Sequence, residues 1–281
     1  MRIVKTISEI REIIKEWRKE GNTIGLVPTM GYLHAGHGSL IETSVKNNNK
    51  TVVSVFVNPT QFGPNEDLEK YPRDIKRDSE LVSSLGGDII FNPEPDEMYN
   101  KNNKTIIKVE GLSEKLCGIT RPVHFAGVCQ VVSKLFNIVT PDNSYFGLKD
   151  FQQYVIIKKM VEDLNFPVKI NPVEIVREES GLALSSRNVY LTDDERKSAL
   201  SLNQSLKKAS LLIKNGENNA DVIINEIRKI ITSVPYTIID YIKIVDPETL
   251  EDIKTVNNKY AVLLAVYVGN TRLIDNFSEL S

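Results

Sequence analysis

The sequence predicts an α/β protein, with a parallel sheet in a larger N-terminal domain and a smaller α+β domain after it. Through the first part of the 281-residue chain, short apolar segments rich in β-branched residues alternate with longer helical patterns. Near residue 175 this alternation ends, and two amphipathic helical patterns are followed by strand patterns joined by short turns. We therefore expect one domain over residues 1–174 and a second over residues 175–281.

The first elements predict strands joined by helices. Apolar residues spaced as on a surface helix predict a helix over residues 8–20, with Ser8 as its N-cap and Gly21 as its stop. The elements predicted after it are a strand at 23–28, a glycine-rich turn at 30–38, a helix from about 38 to 49, a strand at 51–57, a charged helical segment at 66–85 and a strand at 88–91. Two buried strands joined by a helix form a βαβ unit, which implies a parallel, Rossmann-like sheet with right-handed crossovers.

The same alternation continues to about residue 176. Apolar residues from Val128 to Val139 fall on one face of a helix that ends near Pro141. In the next predicted strand, 168–176, Pro172 indicates an edge position or a break. The other predicted elements are a strand at 144–146, a helix from Asp150 to about 164, helices at 193–214 and 219–232, and strands at 238–245, 260–268 and 272–275.

Composition excludes several classes of protein. The net charge is -2 with both signs spread along the chain, whereas a general nucleic-acid binder needs a basic face. No apolar run approaches the roughly 20 residues that span a membrane, and the N-terminus has no signal-peptide pattern. Cys117 and Cys129 form neither a metal motif nor a disulfide framework, which suits a reducing compartment. We expect a cytoplasmic protein that binds neither nucleic acid nor membranes.

The informative chemistry begins in the first βα turn, residues 30–38. This turn holds His34 and His37, two of the three histidines in the chain, and three glycines that let the backbone approach a ligand. Ligands of open α/β sheets bind beyond the carboxyl ends of the strands. A helix N-terminus there offers free N–H groups and partial positive charge to a phosphate. Imidazoles can also donate hydrogen bonds to phosphoryl oxygens as charge develops.

Three other interpretations of this turn remain open from these residues alone. Residues 36–41 partly match the dinucleotide-binding fingerprint, but the third glycine is absent and no acidic residue ends the second strand. His34 and His37 can alternatively bind zinc with His124 as a third ligand, although no carboxylate that would orient them is evident nearby. They can also be ordinary turn residues.

Motifs spread over nearly the whole chain carry a family resemblance. They are Val27-Pro28-Thr29-Met30-Gly31, His34-Ala35-Gly36-His37, Ser54-Val55-Phe56-Val57-Asn58-Pro59-Thr60-Gln61-Phe62, Tyr71-Pro72-Arg73, Arg121-Pro122-Val123-His124-Phe125-Ala126-Gly127-Val128, Phe146-Gly147-Leu148-Lys149-Asp150-Phe151-Gln152-Gln153, Gly181-Leu182-Ala183-Leu184-Ser185-Ser186-Arg187-Asn188 and Arg272-Leu273-Ile274-Asp275-Asn276. In order and spacing they resemble the pantothenate synthetases (pantoate–β-alanine ligases), a family of His-x-Gly-His nucleotidyltransferases. The resemblance implies ATP-dependent condensation of pantoate with β-alanine through a pantoyl adenylate, with release of AMP and pyrophosphate.

The resemblance also implies residue roles. The implied ATP-binding residues are Met30, Gly31, Tyr32, Leu33, His34, Ala35, Gly36, His37, Gly147, Leu148, Lys149, Asp150, Val176, Leu184, Ser185, Ser186 and Arg187. The residues implied to act in catalysis are His37, His34, Lys149 and Arg187. Ser185, Ser186 and Arg187 resemble a second phosphate clamp, since hydroxyls and a guanidinium bind phosphoryl oxygens well. Gln61 and Gln153 resemble the pair that binds the small substrates.

Further expectations follow from the same resemblance. Asn58, Arg121 and His124 are expected to support the substrate pocket, and Mg²⁺ is expected to accompany ATP. Phosphate oxygens and water would hold this ion chiefly, with Asp78 and Asp150 as candidate protein contacts. The family also implies a homodimer and a second domain that closes over the site.

Two positions depart from the family pattern. Leu148 stands where Glu is usual beside Lys149, and Val123 stands where Gly is frequent. Two functions of other classes stay open. One is a nucleotidyltransferase that moves AMP onto a phosphorylated acceptor, which should not need Gln61 and Gln153. The other is a nucleotide-binding protein without catalytic activity.

Overall fold

The fold is taken from a computed structural model that describes residues 1–64 and 66–280. The chain divides into two compact units, which we call the N-terminal unit, Met1–Glu174, and the C-terminal unit, Ile175–Ser281. Over the described residues, no helix is both long enough and apolar enough to cross a membrane.

A parallel sheet forms the centre of the N-terminal unit. Its strands are β1 (Arg2–Val4), β2 (Ile24–Thr29), β3 (Lys50–Val55), β4 (Ile89–Phe91), β5 (Asn143–Gly147) and β6 (Lys169–Val173). In the described part of the chain they lie in the order β1-β4-β3-β2-β5-β6, and all pairs are parallel. The order changes direction between β2 and β5, and such a switch point leaves a crevice at the carboxyl ends of the two strands.

Helices pack on this sheet. They are α1 (Ile7–Lys19), α2 (Ala35–Asn47), α3 (Ile75–Ser84), α4 (Pro95–Met98), α5 (Cys117–Thr120), α6 (His124–Val139) and α7 (Phe151–Asp163), with short 3-10 helices at Pro59–Gln61 and Leu148–Asp150. Helix α2 packs on β2, β3 and β5, and α6 packs against α1 and α7. The core beside α2 includes Leu33, which is 1% exposed, so the side chain of a turn residue is anchored among Val27, Val53 and Tyr145.

The C-terminal unit is a two-layer α+β structure. Its elements are α8 (Asp193–Lys214), α9 (Ala220–Thr232), β7 (Thr237–Val245), β8 (Tyr260–Val268) and β9 (Thr271–Glu279), with a 3-10 helix at Ser186–Tyr190. In the residues described, β7, β8 and β9 form an antiparallel sheet in that order. The two helices pack on each other and on this sheet, and Leu202, Ile227 and Val266 lie in the core between them.

The predicted fold class, an α/β unit with a smaller α+β unit, is confirmed by this architecture. Pro172 lies in β6, which is an edge strand, as its position in the sequence predicted. The last strand is longer than the predicted 272–275, because β9 runs to Glu279 in register with β8.

Three predicted helix boundaries are wrong. Helix α1 begins at Ile7, because the Oγ1 of Thr6, rather than that of Ser8, accepts the cap bond from the N–H of Glu9 at 3.3 Å. Helix α2 begins at Ala35 rather than near residue 38. The charged segment 66–85 is helical only over Ile75–Ser84, and its first part forms turns.

Candidate active site

The two histidines of the first βα turn lie at the carboxyl end of β2, where α2 begins. His34 is the N-cap of α2, and its Nδ1 accepts a hydrogen bond from the N–H of Gly36 at 3.1 Å. The N–H of His34 in turn donates to Nδ1 of His37 at 3.3 Å. The two ring centroids are 4.1 Å apart. The imidazoles therefore cap their own helix, which explains why α2 starts three residues earlier than its sequence predicted.

These hydrogen bonds determine which nitrogen of each neutral ring carries the proton. A ring nitrogen that accepts a hydrogen bond from a backbone N–H has no proton of its own. Because Nδ1 is the acceptor in both His34 and His37, the proton lies on Nε2 in both rings. Each imidazole is left with one N–H group that is not directed at its own turn, and such a group can donate to an anionic oxygen.

Both histidines are neutral at physiological pH. Burial lowers the pKa of His34 to about 4, and the nearby Lys149 ammonium lowers it further, while Asp150 opposes the shift. Burial also lowers the pKa of His37 well below 6.5, with contributions from His34 and Lys149. The turn therefore offers neutral donors, and Lys149 supplies the positive charge at the same place.

The segment after β5 meets the turn at the switch point of the sheet. Strand β2 pairs with β5 at Gly25 and Leu26, so residues beyond the ends of both strands are neighbours. Lys149 and Asp150 act electrostatically on His34 from the 3-10 helix that follows β5. The Lys149 Nζ lies 3.8 Å from Asp150 Oδ1. A carboxylate thus remains beside the ammonium despite the leucine at position 148.

The structure shows the surroundings of the residues that depart from the family pattern and of Asp150. Leu148 is 6% exposed, so an apolar side chain suits its place. Asp150 occupies the N-cap position of α7, but its carboxylate makes no capping hydrogen bond there. Val123, the other departure, is 45% exposed at the N-cap of α6.

Most of the backbone N–H groups in the turn already have protein acceptors. The N–H of Gly31 donates to Oγ1 of Thr29 at 3.1 Å. The N–H groups of Tyr32 and Leu33 donate to the carboxylate of Asp78 at 2.9 and 2.7 Å. The N–H groups of His34 and Gly36 donate to imidazole nitrogens, as described above. Five amides of the turn, those of residues 31–34 and 36, therefore already have protein acceptors. Imidazoles, rather than these amides, are what the turn presents to a ligand.

A cavity of about 380 Å³ opens at the carboxyl ends of β2, β3 and β4. Its walls include Met30, Phe56, Arg73, Asp78 and Asn92. The cavity has the position, the size and the mixed polar and apolar lining that are typical of a small-molecule site in an open α/β sheet.

Gln61 lies against this turn with its amide group oriented by neighbours. Its Oε1 accepts from Nδ2 of Asn58 at 3.1 Å, and its Nε2 donates to Sδ of Met30 at 3.2 Å. The residue is 6% exposed. The bond from Asn58 orients the amide, so Gln61 can offer the remaining N–H of Nε2 and the second lone pair of Oε1 to a hydroxy acid.

A series of hydrogen-bonded polar side chains begins at the backbone carbonyl of Gln61. Its backbone carbonyl lies 3.1 Å from Nδ1 of His124, so that nitrogen carries the proton. The Nε2 of His124 then accepts from Arg121 at 3.2 Å, and Arg121 Nε donates to Glu66 at 3.0 Å. Asn58, Arg121 and His124 were expected near the pocket from the sequence, whereas Glu66 carried no signal that separates it from other exposed acids.

Gln153 lies in the first turn of α7 and is half-buried. Its neighbour Gln152 is 5% exposed and holds the loop before α5, since its amide bonds Cys117 N, Leu112 O and Lys115 O. The two adjacent glutamines are therefore distinguishable, because Gln152 has a structural role that leaves its amide fully used.

The predicted residues of the C-terminal unit form their own cluster. The N–H of Leu184 donates to the carbonyl of Val176 at 3.0 Å. Ser185 caps the 3-10 helix Ser186–Tyr190 by accepting from the N–H of Arg187 at 3.2 Å. The loop 182–188 is thus a compact segment that holds the serines and the arginine together.

Glu178 and its partners, which sequence reasoning missed, hold this loop. Both carboxylate oxygens of Glu178 lie 2.8 Å from Nη1 of Arg196, and Oε1 accepts from Nδ2 of Asn188 at 3.2 Å. Asn188 also donates to the carbonyl of Ala183 at 3.1 Å. Asn188 was part of the recognised motif, but nothing in the sequence pairs it with Glu178.

Among residues 1–64 and 66–280, no group of three or more His, Cys, Asp and Glu side chains is arranged to hold a metal ion. The zinc interpretation required His124 as a ligand, and both ring nitrogens of His124 are engaged with Gln61 and Arg121. Both oxygens of Asp78, a candidate magnesium contact, accept backbone N–H groups.

Comparison with known proteins gives one consistent relationship. The family model described as pantoate-beta-alanine ligase matches residues 2–278. The pantothenate synthetase of Clostridioides difficile is 55% identical over 276 residues, covering 98% of both chains. That of Ruminiclostridium cellulolyticum is 51% identical over 278 residues, covering 99% of both.

Solved structures agree with this relationship. The pantothenate synthetase of Thermus thermophilus has a TM-score of 0.95 at 41% identity, with full coverage of both chains. The pantoate-beta-alanine ligase of Francisella tularensis, complexed with beta-gamma ATP and beta-alanine, has a TM-score of 0.80 at 35% identity, covering 99% of this chain and 98% of that one. This chain belongs to the pantoate–β-alanine ligase family.

Proposed function

We propose that this chain catalyses the ATP-dependent condensation of pantoate with β-alanine to pantothenate, with AMP and pyrophosphate as the other products. The observation that carries the proposal is the pair of neutral imidazoles, His34 and His37, whose Nε2–H groups are free to donate and whose pKa values the nearby Lys149 ammonium lowers. Full-length similarity to the pantothenate synthetases selects pantoate and β-alanine as the substrates.

The phosphate groups of ATP are the proposed partners of these side chains. Neutral N–H donors together with one ammonium can stabilise the charge that builds on departing pyrophosphate without repelling the Mg²⁺ that accompanies ATP. We assign Met30–His37 and Gly147–Asp150 to ATP binding in the N-terminal unit. In the C-terminal unit, Val176 and Leu184–Arg187 are assigned to ATP, with Ser185, Ser186 and Arg187 as phosphate ligands.

Pantoate is the proposed ligand of Gln61 and Gln153. The Nε2–H that Asn58 leaves available on Gln61 can bind a hydroxyl or carboxylate oxygen without neutralising the nucleophile. Asn58 fixes the orientation of the amide, and such alignment of two reactants is a large part of catalysis in phosphoryl-group chemistry.

The reaction has two steps. A carboxylate oxygen of pantoate attacks the α-phosphorus of ATP, so that an O–P bond forms and the bond to pyrophosphate breaks. The neutral amine of β-alanine then attacks the carbonyl carbon of the mixed anhydride. A C–N bond forms, the C–O bond to AMP breaks, and the amine loses a proton. The intermediate must be kept from water between the steps, so we propose that the C-terminal unit acts as a lid.

Three further assignments belong to the proposal. Mg²⁺ enters with ATP as part of the substrate and is held chiefly by phosphate oxygens and water, with Asp150 as the candidate protein contact. The working enzyme is a homodimer in the cytoplasm, a compartment that suits its two buried free cysteines, Cys117 and Cys129.

An omission assay tests the function. Protein is incubated with Mg²⁺ and ATP, pantoate and β-alanine, and each component is left out in turn while AMP and pantothenate are measured. We expect AMP to form at a catalytic rate only when both small substrates are present. Pyrophosphate release with a different acceptor would support a nucleotidyltransferase instead, and tight ATP binding without turnover would support a binding protein.

Labelled substrate tests the intermediate. When pantoate carries heavy oxygen in its carboxylate, attack on the α-phosphorus makes one of those atoms the bridging oxygen. It leaves with AMP in the second step, so mass spectrometry should find one heavy oxygen in each AMP. Unlabelled AMP would contradict the acyl-adenylate route.

A further inference from the structure

One buried carboxylate holds the backbone of the histidine turn. Asp78 lies in the first turn of α3 and is 1% exposed. Its Oδ2 accepts from the N–H of Tyr32 at 2.9 Å, and its Oδ1 accepts from the N–H of Leu33 at 2.7 Å. Hydrogen bonds to an ionised acceptor are stronger than neutral ones. Both oxygens of a buried charge are thus used to hold two consecutive amides of the turn.

The turn needs such support because its backbone enters the left-handed region, which strains Tyr32. Gly31 has φ +85° and Tyr32 has φ +51°, both in the left-handed region. A residue with a side chain costs about 1–3 kcal/mol in a sparsely populated region and stays there only when its surroundings over-determine it. The guanidinium of Arg77, also in the first turn of α3, lies 4.6 Å from the centroid of the Tyr32 ring. Helix α3 therefore holds Tyr32 at its backbone and at its ring.

The turn sits directly on the carboxylate. A Cβ atom added to Gly31 would lie 3.0 Å from Oδ2 of Asp78 and 2.9 Å from Cγ1 of Val55. Both distances are shorter than ordinary van der Waals contacts, so no larger residue fits between the turn and Asp78.

The carboxylate also decides which donors the turn presents. Successive amides in a turn of this kind can themselves form an anion-binding concavity. In this turn, Asp78 already occupies the amides of Tyr32 and Leu33. The Nε2–H donors of His34 and His37, which follow directly in the chain, stay available to an anionic ligand.

We propose that Asp78 is a positioning residue, whose buried carboxylate fixes the turn so that the imidazoles of His34 and His37, and not the backbone amides of Tyr32 and Leu33, bind the phosphates of ATP. The identity of the ligand rests on the proposed function, whereas the anchoring of the turn does not.

Two variants separate this role from general destabilisation. Asp78→Asn keeps the shape but sets an NH₂ group against one of the two backbone N–H groups. We expect kcat to fall about tenfold or more, as for loss of one buried hydrogen bond to a charged group. The matched control is Glu80→Gln, because it makes the same carboxylate-to-amide change at an exposed residue of the same helix. That control should change kcat by about twofold or less.

A spectroscopic readout makes the test independent of rate. The chain has three histidines, so nitrogen NMR can assign their tautomers individually. We expect the Nε2–H form at His34 and His37 in the wild type and in Glu80→Gln, and a mixture of tautomers in Asp78→Asn. An Asp78→Asn enzyme with wild-type tautomers and a kcat within twofold of the control would overturn the proposal.

Hydrogen exchange on the wild-type enzyme covers the case in which Asp78→Asn does not fold. The amides of Tyr32 and Leu33 should exchange slowly without ligand. Their exchange rates should stay the same when a non-hydrolysable ATP analogue is added. Rapid exchange, or direct involvement of these amides in binding the analogue, would contradict the proposal. Protected amides in a protein that makes no pantothenate would instead contradict the proposed function and leave the anchoring role intact.

Discussion

The two segments assigned to phosphate binding are held in different ways. The histidine turn, residues 30–37, donates two backbone amides to the buried carboxylate of Asp78. The loop 182–188 is held by backbone bonds to Val176 and Glu178 and, in addition, by side chains, because the carboxylate of Glu178 binds Arg196 and Asn188. The side chains of Arg196 and Glu178 are 38% and 25% exposed, so solvent reaches this ion pair.

This difference indicates different mechanical roles. A partly exposed ion pair contributes about 0–1 kcal/mol and is screened by salt. Within the described residues, the buried Oδ1 of Asn188 also has no hydrogen-bond partner, and a buried unsatisfied acceptor costs about 1–3 kcal/mol. The turn is therefore held by a fully buried carboxylate, whereas the loop depends in part on an ion pair that solvent reaches, and we expect the loop to be the easier of the two to reshape.

His37 should carry the largest effect. His37→Ala is expected to lower kcat on the order of 10²-fold or more, because it removes an Nε2–H that acts on developing charge. His37→Asn should be equally slow, since its oxygen can replace Nδ1 as the cap of His34 but no donor reaches the position of Nε2. His37→Gln, which places a donor near that position, should recover part of the rate. A near-native turnover number in the alanine variant would remove His37 from the mechanism.

Gly31→Ala should be the most destabilising single-methyl change in the turn. It combines a left-handed φ with contacts of 2.9 and 3.0 Å, and we expect a loss of about 2–4 kcal/mol in unfolding free energy. Gly111→Ala is the matched control, because Gly111 has φ +75° with open space around its Cβ position. That control should lose about 1–2 kcal/mol. Equal losses in denaturant titrations would show that the turn is not packed tightly on Asp78.

The lowered pKa of His34 predicts a pH dependence of stability. Its pKa is about 4 in the folded protein and near 6.5 in the unfolded chain, so the unfolded state binds more protons between these values. Unfolding free energy should therefore fall as the pH falls from 6.5 towards 4, by at most about 3 kcal/mol for this residue. Thermal unfolding of wild type and His34→Asn should converge towards pH 4. Parallel curves for the two proteins would mean that His34 is not held neutral by the fold.

Glu178→Gln should have the smallest effect and should act on the loop alone. Loss of a partly exposed ion pair is expected to raise KM for ATP about two- to fivefold, with little change in kcat. The difference from wild type should shrink at high salt, because salt already screens the pair in the wild type. Asp240→Asn is a control, since Asp240 pairs with Arg272 elsewhere in the same unit. A salt-independent effect, or an equal effect in the control, would argue that Glu178 does not set the loop.

Several features of the fold and family could be predicted from the sequence. The alternation of β-branched segments with helical patterns predicted the parallel sheet, and the ordered motifs predicted the family, which the comparisons confirm. These predictions succeed because periodicity and the order of motifs can be read directly from residues that are close together in the sequence. The residue roles assigned from the motifs stay predictions.

Other features could not be predicted because they depend on contacts across the sequence. The start of α2 was missed because a histidine side chain caps it, whereas capping preferences favour Ser, Thr, Asp and Asn. Segment 66–74 was expected to be helical from its charges, but Arg73 donates to the carbonyls of Tyr71 and Leu68 and stabilises turns instead. Asp78 was considered only as a metal contact, since nothing local pairs it with amides about 45 residues earlier.

The sequence by itself determined the order of strands and helices and the chemical groups near the first turn, because each follows from residue type and spacing along the chain. Only the tertiary structure decided how those groups are used. Packing of α3 against the turn places Asp78 under two amides, and burial beside Lys149 keeps the imidazoles neutral. Desolvation and hydrogen bonding between distant residues arise only when the chain is folded, so they set the protonation and direction of the donors that the sequence supplies.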